Sequence, residues 1–70
     1  MKMGQSNDAI AALQFGLKEL PSSELLAMNL ARVYVQTGSA GKARSVLLTF
    51  IETSPQSEPA RKALRELEGR

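Results

Sequence analysis

The sequence predicts an all-α protein of four helices, each antiparallel to the next. Three observations predict it. Apolar residues recur at helical spacing through most of the chain and nowhere alternate as they would in a strand. Pro21, Gly38 and Ser54-Pro55 interrupt that pattern at short intervals. The chain also matches itself at a shift of 34 residues, which sets Gly4 on Gly38, Ala9 on Ala43, Leu13 on Leu47, Leu17 on Ile51, Pro21 on Pro55, Ser23 on Ser57, Glu24 on Glu58 and Leu30 on Leu64.

Each element follows from local chemistry. In the first helix, Ala9, Ala12, Leu13, Gly16, Leu17 and Leu20 form one face of a 3.6-residue period. Pro21 closes it, because a proline pushes the residue before it out of the helical region. Ser22 or Ser23 caps the second helix, whose stripe is Leu26, Leu30, Val33 and Tyr34; Gly38 ends it by reaching the left-handed region without strain. Ser39 opens a third helix with Ala43, Val46, Leu47, Phe50 and Ile51 turned inward, stopped by Ser54-Pro55. The fourth begins after Ser57, takes Pro59 in its first turn where no donor is lost, and carries Ala60, Ala63, Leu64 and Leu67. The short connections force neighbours antiparallel. Small residues near the turns, Gly4 with Ala9 and Gly38, Ala40 and Gly41 with Ala43, are expected to let helices approach closely. Gly16 costs about 1 kcal/mol of helix propensity relative to Ala, so another backbone is expected beside it.

Composition narrows function. Seventy residues, 43% hydrophobic and 23% charged, make one small domain spanning residues 1–70. The absence of Cys and His removes disulfides, zinc fingers, thiol nucleophiles and His-based triads. Nine basic against seven acidic residues give a net charge of +2, with the signs interspersed, so no nucleic acid is expected as a partner. No apolar run approaches the roughly 20 residues of a membrane span, and the start lacks a signal-peptide stretch, so no membrane insertion is expected and the compartment stays open. Ser22, Ser23, Ser39 and Ser57 have no base to activate them and are caps. The acids lie near helix ends or on polar faces, with Glu58–Lys62 and Lys62–Glu66 spaced as i,i+4 pairs. No catalytic, metal or cofactor constellation emerges. Gly38-Ser39-Ala40-Gly41-Lys42 lacks the glycine spacing and preceding strand of a phosphate loop and is a helix turn.

From Glu24 to Ser57, small or apolar residues stand at Ala27, Leu30, Ala31, Tyr34, Ala43, Leu47 and Phe50, with Asn29 before Leu30, a turn glycine at Gly38 and a closing proline at Pro55. This segment resembles one tetratricopeptide repeat. Phe50 departs from the pattern, being large where alanine is usual. Residues of about 5–20 match the second helix of a preceding repeat, the full repeat covers about 24–57, and about 58–69 match the first helix of a following repeat, more weakly, since Arg65 and Glu68 replace small or aromatic residues. The resemblance implies a right-handed α-solenoid that acts in protein–protein interaction without catalysis, as a fragment of a longer array or as a short protein in its own right.

The family's first helices line a concave groove for a peptide or helix. Carried onto this chain, the groove positions are Leu25, Met28, Asn29, Arg32, Val35 and Gln36, with Lys62 on the next helix. These supply an amide for a peptide backbone, a guanidinium for a carboxylate and an adaptable thioether. The remaining Lys and Asn residues of the family's carboxylate clamp are not in the chain. A second expectation concerns the ends, where Ala9, Ala12, Leu13 and Gly16 on the first helix and Ala60, Leu64 and Leu67 on the last lack the partner a complete repeat provides. Self-association follows, head to tail or as a two-fold dimer. Phe15 and Leu48, off the main stripes, are further contact candidates. An RNA-binding helical repeat is the remote alternative, favoured only by a pI of about 9.4.

Overall fold

The structure, a computed structural model, describes the backbone of residues 3–69 and the side chains of residues 8–69. Four helices follow one another: α1 (Met3–Glu19), α2 (Glu24–Gln36), α3 (Ala40–Thr53) and α4 (Glu58–Glu68). No strand occurs among the described residues.

Their boundaries follow the capping residues. Ser23 and Ser57 are N-caps with extended backbone, ψ 105° and 104°, and each side chain accepts from an amide three residues on, that of Leu26 at 3.3 Å and of Ala60 at 3.4 Å. Ser39 occupies the same place before α3 but makes no side-chain cap bond. Its ψ is 53°, outside the extended range that swings a cap hydroxyl over the first turn. That geometry is imposed by the turn before it. Gly38 takes φ +83°, its amide bonds the Val35 carbonyl at 3.1 Å, and the Ser39 amide bonds the Tyr34 carbonyl at 2.7 Å. Two carbonyls at the end of α2 are thereby satisfied, that of Tyr34 also accepting from the Thr37 hydroxyl at 3.1 Å.

The core is one cluster: Ala27, Leu30, Ala31 and Tyr34 of α2, Ala43, Leu47 and Phe50 of α3, and Ala60 of α4. Leu47 is wholly buried at its centre. Ile10, Leu13 and Leu17 pack on it from α1, and Ala63, Leu64 and Leu67 from α4. Tyr34 joins three helices. Its hydroxyl accepts from Gln14 Nε2 of α1 at 2.7 Å, and Lys42 Nζ of α3 sits 5.9 Å from its ring centroid. Ser57 is the buried polar side chain, and its hydroxyl donates to Glu24 Oε2 at 2.6 Å, tying the N-termini of α2 and α4 together.

The helices lie in two layers, α1 with α3 and α2 with α4. α2 packs on α1, α3 and α4, whereas among the described residues the backbones of α1 and α3 do not approach each other. The Cα envelope measures 35 × 31 × 14 Å. Its shortest side matches two helix axes about 9–10 Å apart plus a backbone radius of about 2.3 Å on each side.

Several expectations change. α1 runs from Met3 to Glu19 rather than about 5–20. Its half-buried line includes Ile10 beside Ala9, Leu13, Gly16 and Leu17 of the expected stripe, while Ala12 and Leu20 are exposed. Gly16 meets a side chain and no backbone: a Cβ there would lie 3.0 Å from Leu26 Cδ1. Leu26 and Val33 are half-buried, and Ala27 and Ala31 join the expected Leu30 and Tyr34 as the buried residues of α2. Ala40 and Gly41 are exposed, with nothing within 4 Å of a Cβ built on Gly41, so of the small residues after Gly38 only Ala43 works in the packing. Gly4 lies outside the described side chains. The pairs Glu58–Lys62 and Lys62–Glu66 are not formed. Among the described residues the ion pair present is Arg44 Nε to Glu68 Oε2 at 3.5 Å, both half-exposed, since Glu68 projects toward α3.

Candidate functional site

α2 and α4 share a layer, so the faces they turn away from α1 and α3 form one surface. Between them lies a cavity of about 170 Å³ lined by Met28, Ala31, Arg32 and Val35 of α2 and Ala63, Glu66 and Leu67 of α4. Its floor is apolar because Ala31 and Ala63 are too small to fill the gap. Arg32 and Glu66 stand exposed on opposite walls. Arg32 Nη2 donates to Asn29 Oδ1 at 3.4 Å, a long bond one turn apart on the helix surface.

Of the positions expected from sequence, Met28, Arg32 and Val35 line this cavity. Leu25, Asn29, Arg32 and Gln36 are spaced by four, three and four residues along one line of α2 beside it. Leu25 is 70% exposed, a large apolar side chain in water. Lys62 is exposed one turn before Glu66 and does not line the cavity. The α4 wall, Ala63, Glu66 and Leu67, was not foreseen. Part of its signal was available: Ala63 stands 34 residues after Asn29 and Glu66 after Arg32, so both follow from extending the groove register into the last helix, whereas Leu67 corresponds to Val33, which is not a groove position.

The opposite surface carries a second cavity, of about 300 Å³, in the gap that α1 and α3 leave between them. Leu17 and Pro21 form one side, and Val46, Phe50, Ser45, Thr49 and Thr53 the other. It offers apolar walls and three hydroxyls but no charged group to orient a ligand. No sequence reading anticipated it, since it arises from the spacing of two helices whose backbones stay apart.

The residues expected at the two ends fare differently. On α1, Ala9, Leu13 and Gly16 are half-buried and Ala12 is exposed. On α4, Ala60 is completely buried in the core, and Leu64 and Leu67 pack against it. Ala60 therefore cannot be reached by a second chain, and the expectation that it lies partly uncovered is corrected. Phe15, 66% exposed, and Leu48, 42% exposed, are on the surface rather than packed between repeats.

Among the described residues no group of three or more His, Cys, Asp or Glu side chains could hold a metal ion, and no helix is long and apolar enough to cross a membrane. Comparisons with curated proteins and with solved structures give no significant match. A family model of the tetratricopeptide repeat does match, over residues 1–67. Such repeats are typically non-catalytic and bind other proteins. With four helices in two layers and a profile match over nearly its whole length, the chain belongs to the tetratricopeptide repeat family and is a helical-repeat scaffold for protein–protein interaction.

Proposed function

We propose that the concave face between α2 and α4 binds an extended peptide or a helix of a partner protein. Residues of about 24–57 act in this reading as one complete repeat, with half-repeats of about 5–20 and 58–69 on either side. The observation that supports it is the juxtaposition of Arg32 and Glu66 across the apolar cavity floored by Ala31 and Ala63. An apolar side chain of the ligand enters the cavity, while charges of opposite sign on its flanks meet the two walls. Arg32 fits a carboxylate bidentately, and its bond to Asn29 limits the rotamers it must give up on binding. Met28 adapts its thioether to the shape of the inserted group. Leu25, Gln36 and Lys62 extend the contact beyond the cavity.

The test uses peptides selected against the wild-type chain from a random display library. Arg32→Glu and Val35→Asp are expected to weaken the selected peptides by tenfold or more, about 1.4 kcal/mol, while Asn29→Ala, by freeing Arg32, weakens them less. Circular dichroism checks that each variant keeps its helix content. Peptides that bind all three variants unchanged would sink the proposal.

A further inference from the structure

The outer faces of α1 and α4 differ in a way that decides how two copies can meet. At the shift of 34 residues, the α2 positions Ala27, Ala31 and Tyr34, all buried, correspond in α4 to Arg61, Arg65 and Glu68. These three are exposed and surround Leu64. A helix laid on α4 as α3 lies on α2 would bury two guanidinium groups against apolar side chains. Charge burial of that kind is costly without a partner. Head-to-tail stacking of copies is thereby opposed.

α1 departs in the other direction. Facing away from α2, it exposes Asp8, Ala11, Ala12, Phe15 and Lys18, spaced as one stripe of a helix. The same register on α3 holds Ser45 and Thr49 where α1 holds Ala11 and Phe15. The apolar residues on α1 are thus no demand of the repeat, and Phe15 remains 66% exposed. The stripe is self-complementary. Two copies of α1 set antiparallel about position 13 bring Asp8 opposite Lys18 and Ala11 opposite Phe15, each pair twice by symmetry. Phe15 then fills the hollow that Ala11 and Ala12 of the second copy leave open. A slip of one residue sets Glu19 against Asp8, so charge fixes the register.

We infer that this chain pairs with a second copy of itself through an antiparallel α1–α1 contact, with Phe15 as the apolar anchor and Asp8 and Lys18 as the flanking charge pair. The surface is separate from the α2–α4 groove, so the two proposals stand or fall independently.

Sedimentation equilibrium of the chain at roughly 1–1000 µM reads the prediction, that range being where an interface of less than standard size associates. The mass is expected to rise from one chain to two and stop there. Phe15→Ser is expected to weaken association by roughly tenfold or more. Asp8→Lys and Lys18→Asp should each weaken it, since each sets like charges opposite one another, and an equimolar mixture of those two variants should associate again. All three sites are exposed, and circular dichroism verifies the fold. A chain that stays monomeric throughout, assembly that grows past two, a Phe15→Ser variant that associates unchanged, or a mixture that fails to recover would each overturn the inference; the first would leave the stripe to the helix of another protein.

Discussion

Gly38 and Gly41 stand three residues apart and do opposite things. Gly38 has φ +83° and open space around it, so the penalty for a side chain there is conformational and involves no clash. Gly38→Ala is expected to cost about 1 kcal/mol. Gly41 has equally open space within the first turn of α3 and no left-handed backbone, so Gly41→Ala should stabilise by up to about 1 kcal/mol. Urea denaturation of the two variants reads both signs. Ser23 and Ser57 make a second instructive pair. Both cap a helix, but only Ser57 is buried and also donates to Glu24. Ser57→Ala should therefore cost roughly 1 kcal/mol more than Ser23→Ala. Equal losses would mean that the Glu24 bond contributes nothing to stability.

At the scale of the element, α2 and α4 begin alike and end differently. Both start from a capping serine followed by glutamate, and both pack an alanine and a leucine inward. They diverge on the side where α2 receives α3. Giving α4 the α2 pattern through Arg61→Ala, Arg65→Ala and Glu68→Tyr together removes the charges that oppose stacking. That variant, made with Phe15→Ser so that α1 pairing does not contribute, is expected to form species of three or more chains in sedimentation. A mass of one chain would show that the charged face is not what limits assembly. α3 has a different task, since it carries Leu47, the fully buried side chain at the centre of the core. Leu47→Ala should cost about 2–5 kcal/mol, against a total of about 4–10 kcal/mol for 70 residues. A shift of the urea midpoint by a large fraction of its wild-type value is the expected reading.

The whole molecule is a thin two-layer slab, so each helix has one face inward and one or two in water. That shape divides its surfaces by chemistry. Between α2 and α4 small residues leave a cavity walled by opposite charges. Between α1 and α3 a wider gap is walled by apolar and hydroxyl groups. At one end α1 shows Phe15, and at the other α4 shows Arg61, Arg65 and Glu68. A groove that binds peptides and an α1 face that pairs copies predict a two-chain assembly with two peptide sites. Isothermal titration of a selected peptide into the paired protein should give one peptide per chain, and the same stoichiometry for the Phe15→Ser monomer.

Helix number and order, the ends of α2, α3 and α4 to within a residue or two, the capping roles of Ser23 and Ser57 and the left-handed Gly38 were legible in the chain, because each depends on residues within a turn or two of one another or on the 34-residue period. So were Met28, Arg32 and Val35 as groove residues, since a groove position is a position on one helix. The closing of α4 on α2 into a cavity, the burial of Ala60, the contact of Gly16 with Leu26 and the cleft between α1 and α3 were decided only by tertiary structure. Each depends on the rotation of a helix about its own axis and its distance from a neighbour. Those are set by how side chains from several helices share one core, which on α1 brings in Ile10 beside Leu13 and Leu17 and leaves Ala12 and Leu20 of the expected stripe in water.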